Sequence, residues 1–156
     1  MPTFLRTVEF LGLALWLGSD IFVSLILAPG AFRLLASRDQ AGAIVGFSLS
    51  RMHTAGIVCG CVLLAARILR IRGVASLVAP PAVCVLLMMV LTAISQYTVS
   101  ARMAALRVQM GSIQATAADS PLLAEFGRWH RVSASLEGCV LLLGIAAMYL
   151  MVREVR

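Results

Sequence analysis

Four long apolar stretches divide this chain, and they constrain its fold more than any other feature of the sequence. Each approaches the roughly 20 apolar residues that an α-helix needs to cross a bilayer core about 30 Å thick. We expect Pro29-Gly30 to end the first helix, because proline and glycine both interrupt helices. The sequence therefore predicts one all-α domain over residues 1–156, an integral membrane four-helix bundle with spans at about residues 4–28, 52–71, 80–105 and 130–152.

The composition favours a membrane environment over other classes of protein. Hydrophobic residues make up 61% of the chain and charged residues 13%, whereas a soluble domain has about 25% charged residues. The net charge is +6, and every basic residue is an arginine near the end of an apolar stretch. Arginines in such positions meet lipid headgroups or water. We therefore expect the lipid bilayer as a partner and no binding of nucleic acid.

Residues that typically begin helices precede the second and the fourth apolar stretches. Ser37 stands before the second stretch, and Ser120-Pro121 stands before the fourth. Serine is favoured at the N-cap of a helix and proline at its first helical position. We therefore predict that amphipathic interfacial helices over about residues 38–50 and 121–129 lead into these two spans.

A short motif recurs in the two halves of the chain. Arg51-Met52-His53 opens the second span, and Arg128-Trp129-His130 opens the fourth, 77 residues later. These triplets contain the only two histidines of the sequence. The recurrence predicts an internal repeat of two helical hairpins with the same orientation in the membrane.

The arginines also bear on the orientation of the chain. They divide almost evenly between the two faces, but those on the face with both termini lie in shorter segments. Short segments rich in arginine tend to stay on the cytoplasmic side. We therefore expect a multi-pass protein of the bacterial inner membrane with cytoplasmic termini.

Two carboxylates lie inside the predicted spans, Asp20 in the first and Glu137 in the fourth. An ionisable residue in the membrane interior costs about 2.5–3.5 kcal/mol on insertion scales and so marks a candidate functional position. His130 and Ser133 precede Glu137 by seven and four residues, which places all three side chains on one helix face.

The order of the helices brings polar residues of different spans to one level. The first and third helices run toward two long links, residues 29–50 and about 106–127, and the second and fourth run away from them. If the polar residues of the four spans face inward, they predict a binding pocket that opens toward these links. Its predicted residues are Asp20, His53, Gln96, His130, Ser133 and Glu137, with Arg51 and Arg128 at its mouth.

Several roles for these residues remain open. If they only pack helices together, we expect Asp20 and Glu137 to pair with arginines. If they bind a ligand, His53 and His130 together with the carboxylates suit a divalent metal ion. Two imidazoles from facing helices also suit the axial positions of a haem iron. The same groups can relay protons.

The leading hypothesis is a membrane protein that binds or moves a small cation or a metal ion through this pocket. The alternatives are a b-type haem protein and a structural or accessory subunit of a larger membrane complex, and homo-oligomers also remain open. We expect no enzyme, because the sequence contains no H-E-x-x-H motif, no nucleophile triad and no phosphate-binding glycine loop.

Five short motifs follow one another along the chain: Leu15-Trp16-Leu17-Gly18-Ser19, Ala28-Pro29, Arg51-x-His53, Ala105-Leu106-Arg107 and Phe126-Gly127-Arg128-x-His130. Together they resemble the transmembrane-protein-205-like family, a domain of unknown function. The resemblance implies a small four-helix membrane protein, and the association of an animal relative with tolerance of platinum drugs implies handling of metal complexes. The family is also similar to copper-resistance D-type proteins and to the haem-containing bacterial protoporphyrinogen oxidase, at the level of four-helix architecture.

This chain departs from the family pattern at two positions. Asp20 and Glu137 stand where the resemblance implies uncharged residues. The predicted pocket is therefore more acidic than the resemblance implies.

Overall fold

The computed structural model describes residues 2–155, which form four long helices and no strand. All four are long and apolar enough to cross a membrane, so the predicted all-α four-helix membrane bundle is confirmed. A short 3-10 helix over Val74–Val78 links the second helix to the third. The four helices are α1 (Pro2–Leu34), α2 (Arg38–Ile71), α3 (Pro80–Met110) and α4 (Pro121–Arg153).

Two of these helices change their winding near the middle. Six residues of α1, Phe22–Leu27, are π-helical, and so are six residues of α3, Ser95–Ser100. At the end of the first π segment the Ala28 N–H donates to the Val23 carbonyl, five residues back. Short π segments inside α-helices often occur at functional sites.

The sequence predicted that the first helix ends at Pro29-Gly30. This prediction is wrong, because the helix continues to Leu34. Pro29 falls in the first turn of the α-helical segment Ala28–Leu34 that follows the π segment. A proline at the start of an α-helical segment disrupts little, since its missing N–H has no α-helical partner there. Because the winding changes just before Pro29, the helix continues through the proline.

The second and fourth helices begin where the sequence indicated. Ser37 caps α2 by accepting a hydrogen bond from the Gln40 N–H at 3.4 Å, and Ser120 precedes Pro121 at the start of α4. The residues predicted to form interfacial helices, 38–50 and 121–129, are the first turns of α2 and α4 and are continuous with the spans. At 1.5 Å per residue, a helix of 34 residues is about 51 Å long, which exceeds a hydrocarbon core of about 30 Å.

The helices α1 and α2 pack closely against each other, and glycines of α2 make this possible. The Trp16 indole of α1 lies against Gly56 and Gly60 of α2, and a Cβ added at Gly60 would lie 2.9 Å from Trp16 Cζ3. A Cβ at Gly56 would overlap the indole. These glycines let the two backbones approach around a large aromatic ring, as small residues do in membrane helix pairs.

The outer surface of the bundle is apolar along the length of the helices. Leu15 and Leu25 of α1 are each 65% exposed, and Leu142 of α4 is 69% exposed. Exposed leucines in such numbers are suited to lipid, which solvates apolar side chains as well as a protein core does. The fold is thus that of a multi-pass membrane protein in a lipid bilayer.

Ion pairs close the bundle where α1 begins and α4 ends. Glu9, which is 1% exposed, pairs with Arg70 and lies 3.5 Å from Arg67. Arg67 in turn donates to both carboxylate oxygens of Glu154, at 3.0 and 2.6 Å. Two arginines of α2, one glutamate of α1 and the glutamate that follows α4 therefore neutralise one another, and we call these four residues the terminal ion cluster.

Polar contacts join the two long links at the opposite end of the bundle. Asp39 accepts hydrogen bonds from the Ser112 hydroxyl at 2.6 Å and from the Ile113 N–H at 2.7 Å. The Arg107 guanidinium lies against Gly42 and stacks over the Phe126 ring, 5.4 Å from its centroid. These contacts hold the end of α3 against the start of α2 and of α4.

Candidate functional site

Four polar residues lie at the same depth in the bundle, one on each helix. Each stands between 14 and 18 residues from both ends of its helix, so the four share the middle of the bundle. Three of them, Asp20, His53 and Glu137, are buried, and Gln96 is half-buried. We call these four residues the central cluster.

A pair between α2 and α4 forms the core of the cluster. His53 Nε2 lies 2.8 Å from Glu137 Oε1, and the His53 side chain is fully buried. The Ser95 hydroxyl of α3 donates to the same Glu137 oxygen at 2.9 Å. A short hydrogen bond between an imidazole and a carboxyl group allows one proton to be shared between them.

The other nitrogen of His53 contacts α3. Nδ1 lies 2.9 Å from Gln96 Oε1, and the Gln96 amide nitrogen donates to the Ser50 hydroxyl at 2.9 Å. Ser50 lies three residues before His53 on α2, so its side chain is on the same helix face. The imidazole is thus held on both sides by hydrogen bonds.

Asp20 brings a second carboxyl group to the cluster. It is 0% exposed, its Oδ1 accepts a hydrogen bond from the Ser24 hydroxyl at 3.0 Å, and it lies within electrostatic range of Glu137 and His53. Within residues 2–155 no arginine lies within 4.0 Å of Asp20 or Glu137. The arginine pairing expected for a purely packing role is therefore wrong.

Buried polar atoms without a hydrogen-bond partner gather around the cluster. Of the five such side-chain atoms among the described residues, only Arg107 Nε lies elsewhere. Trp16 precedes Asp20 by one helical turn, and Thr92 precedes Ser95 by one turn. Buried polar groups are normally satisfied by a hydrogen bond, so a concentration of atoms without a partner distinguishes this part of the bundle. The four atoms are Trp16 Nε1, Asp20 Oδ2, Thr92 Oγ1 and Glu137 Oε2.

Both π segments adjoin the central cluster. The segment in α1 begins two residues after Asp20 and contains Ser24, the partner of Asp20. The segment in α3 begins with Ser95 and Gln96, which contact Glu137 and His53. The irregular winding of both helices therefore coincides with the site.

Other residues predicted for the pocket lie apart from the cluster. His130, Arg51 and Arg128 are exposed, and the Arg51 guanidinium lies over the Phe47 ring, 5.3 Å from its centroid. Arg128 lines a shallow groove of about 420 Å³ on the outer face of α4. Ser133 is buried, one turn before Glu137 on the same helix.

This geometry offers little to a metal ion or a haem. Among the described residues, no three His, Cys, Asp or Glu side chains are grouped so that they could hold one metal ion. Both nitrogens of His53 already contact protein groups, and His130 is exposed. His53 and His130 therefore do not fit the two axial positions of a haem iron.

Two sets of polar contacts were not anticipated from the sequence. The Ser50 hydroxyl accepts a hydrogen bond from the Gln96 amide nitrogen. Its position three residues before His53 is the one sequence feature that could have indicated a place on the same helix face. Arg67 of the terminal ion cluster lies 14 residues after His53, a spacing that returns to the same helix face. Its place near the end of an apolar stretch predicts a membrane-edge position instead.

The comparisons with known proteins give one match. No curated protein and no solved structure matches the chain. Residues 11–112, which are 102 of the 156 residues, match a family model described as "Domain of unknown function (DUF4149)". This region contains α1, α2 and α3 of the bundle apart from the first residues of α1, and so includes Asp20, His53 and Gln96. Since the match covers more than half of its length, the chain belongs to the DUF4149 family.

Proposed function

We propose that this membrane protein binds and releases a small cation, a proton, at the central cluster. The observation that carries this proposal is a shortage of positive charge. Two buried carboxyl groups, Asp20 and Glu137, face one basic side chain, His53, and each carboxyl group has an oxygen without a partner.

Charge balance in the membrane interior requires a further cation. The groups that α3 adds to the cluster, from Thr92, Ser95 and Gln96, are uncharged. With His53 protonated and both carboxyl groups ionised, the cluster carries one net negative charge. An uncompensated charge in a medium of low dielectric constant costs several kcal/mol even after relaxation. The folded protein therefore holds at least one additional proton or other cation in the cluster.

The donor geometry favours a proton over a metal ion. His53 and Glu137 are bonded to each other at 2.8 Å, which leaves no space for an ion between these two atoms. A divalent metal site is built from several ligands arranged around one point, and the described residues contain no such group of three. A proton needs only the shared hydrogen bond and the unpaired carboxyl oxygens.

Several features expected from the sequence remain part of this proposal. We propose that the termini face the cytoplasm of a bacterial inner membrane, and that the two hairpins are an internal repeat. The resemblance to the transmembrane-protein-205-like family and to copper-resistance D-type proteins, with its implied metal tolerance, agrees with a cation-binding role. Assembly into a homo-oligomer or a larger complex is compatible with the apolar outer surface.

Infrared spectroscopy of the purified protein in lipid tests the proposal. We expect a carbonyl band from a protonated carboxyl group whose intensity changes with pH while the protein stays folded. The band should be lost or shifted in Asp20→Asn or in Glu137→Gln. Glu125→Gln is the matched control, because Glu125 pairs with Arg102 away from the cluster.

Two results would contradict the proposal. One is the absence of any protonated carboxyl band, together with no pH-dependent change, throughout the range in which the protein is folded. The other is a band that appears only when sodium and potassium are withdrawn, which would assign the site to an alkali-metal ion instead of a proton.

A further inference from the structure

We infer that Gln96 is a positioning residue that determines which nitrogen of His53 exchanges its proton. The inference rests on the proposed proton binding and adds a defined atom to it. The assigned nitrogen is Nε2, which faces Glu137, and Nδ1 keeps its hydrogen throughout.

The orientation of the Gln96 amide supports this assignment. Its nitrogen donates to the Ser50 hydroxyl at 2.9 Å, so its oxygen faces His53 Nδ1, also at 2.9 Å. An amide oxygen can only accept a hydrogen bond. The contact therefore requires a hydrogen on Nδ1, whether the imidazole is neutral or charged.

With Nδ1 fixed as a donor, proton exchange is confined to the opposite side of the ring. His53 Nε2 and Glu137 Oε1 are 2.8 Å apart. In one state Nε2 carries a hydrogen and the imidazolium faces a carboxylate. In the other state the N–H bond is broken, an O–H bond is formed on Glu137, and a neutral imidazole accepts from a carboxylic acid. The total number of protons in the pair is unchanged by this transfer.

The π segment of α3 suits this arrangement. Two consecutive residues, Ser95 and Gln96, contact Glu137 and His53 respectively. Because a π-helix has more residues per turn than an α-helix, neighbouring side chains diverge by a smaller angle. One helix can thus orient both members of the proton-sharing pair.

Nitrogen NMR of the full chain in lipid bilayers tests the inference. Labelling with 15N-histidine gives signals from only two residues, and His130→Gln identifies those of His53. We expect His53 to retain the Nδ1 hydrogen at every pH and to change protonation only at Nε2. The exposed His130 is the internal control and should favour the Nε2–H form that a free imidazole side chain adopts in water.

Two variants test the role of the amide. In Gln96→Leu the Nδ1–H preference of His53 should be lost. Ser50→Ala removes only the hydroxyl that accepts from the amide nitrogen, and should weaken the preference in the same direction if Gln96→Leu does not fold. Neither change should alter the His130 signals.

Three results would overturn the inference. They are a His53 that deprotonates at Nδ1, a His53 that keeps both hydrogens at every pH, and folded variants that retain the Nδ1–H form unchanged. Infrared spectroscopy detects a proton in the cluster regardless of the nitrogen involved. A fixed Nδ1–H form without any pH-dependent carboxyl band would therefore remove the proposed function and leave the orienting role of Gln96 intact.

Discussion

Replacing His53 with leucine is expected to lower the free energy of unfolding by about 3–5 kcal/mol, because removal of one partner leaves a buried charge uncompensated. Glu137 would lose its bond of 2.8 Å to Nε2, and Gln96 would lose its bond of 2.9 Å to Nδ1. Unfolding by a denaturing detergent, followed by circular dichroism, measures the difference.

Two matched variants separate the pair from a general effect of losing a histidine. His130→Leu changes an exposed histidine of α4 and should leave stability almost unchanged. In the double variant His53→Leu with Glu137→Leu, both charges are absent, so much of the lost stability should return. If the double variant is less stable than His53→Leu alone, the buried carboxyl group is not the source of the loss.

The second large effect is expected at the terminal ion cluster. Arg67→Met should also lower the free energy of unfolding, by about 1–3 kcal/mol, because Glu9 keeps Arg70 as a partner while Glu154 and the Ser76 carbonyl lose the hydrogen bonds that Arg67 donates. Arg67 is 1% exposed and bridges Glu9 to Glu154, and its Nε also donates to the Ser76 carbonyl at 3.3 Å. The substitution therefore loosens α1, α2 and α4 at one end of the bundle.

Arg102→Met is the control for this prediction. Arg102 pairs with Glu125 at 2.6 Å, but its side chain is 45% exposed. Exposed ion pairs contribute little to stability, so this variant should keep a Tm close to that of the unmodified protein. Equal Tm values for Arg67→Met and Arg102→Met would contradict this prediction, because they would show that burial of the terminal ion cluster does not contribute to stability.

The helices could be predicted from the sequence because a bilayer demands a fixed length of apolar chain. Ser37 and Ser120-Pro121 marked the starts of α2 and α4 correctly for the same local reasons that operate in soluble proteins. The π segment before Pro29 was not predictable, because the apolar pattern of the sequence is the same on either side of it.

The central cluster could be predicted in part. The helix order fixed the common level of Asp20, His53, Gln96 and Glu137, and helical spacing fixed the face of each side chain. Spacing gives the direction of a side chain but not what lies opposite it. His130 precedes Glu137 by seven residues, a spacing that predicts the same helix face. The His130 side chain is nevertheless exposed, whereas that of Glu137 is buried.

The arginines were the hardest residues to place from the sequence. An arginine near a helix end can face lipid headgroups or fold inward to a carboxylate, and both choices leave the same sequence pattern. Arg67 pairs inside the bundle, whereas Arg51 is exposed over Phe47. Only the position of an acidic side chain on a neighbouring helix distinguishes the two cases.

The contact between His53 and Glu137 inside the bundle is the basis of the proposed proton site. A dipolar-coupling measurement between 15N-histidine and the 13C-labelled carboxyl carbon of glutamate, made on the protein in lipid bilayers, tests that contact. We predict strong coupling from His53 Nε2 to one glutamate carboxyl carbon, and loss of that coupling in Glu137→Gln. A His53 signal without coupling to any glutamate, or with coupling that persists in Glu137→Gln, would contradict the account.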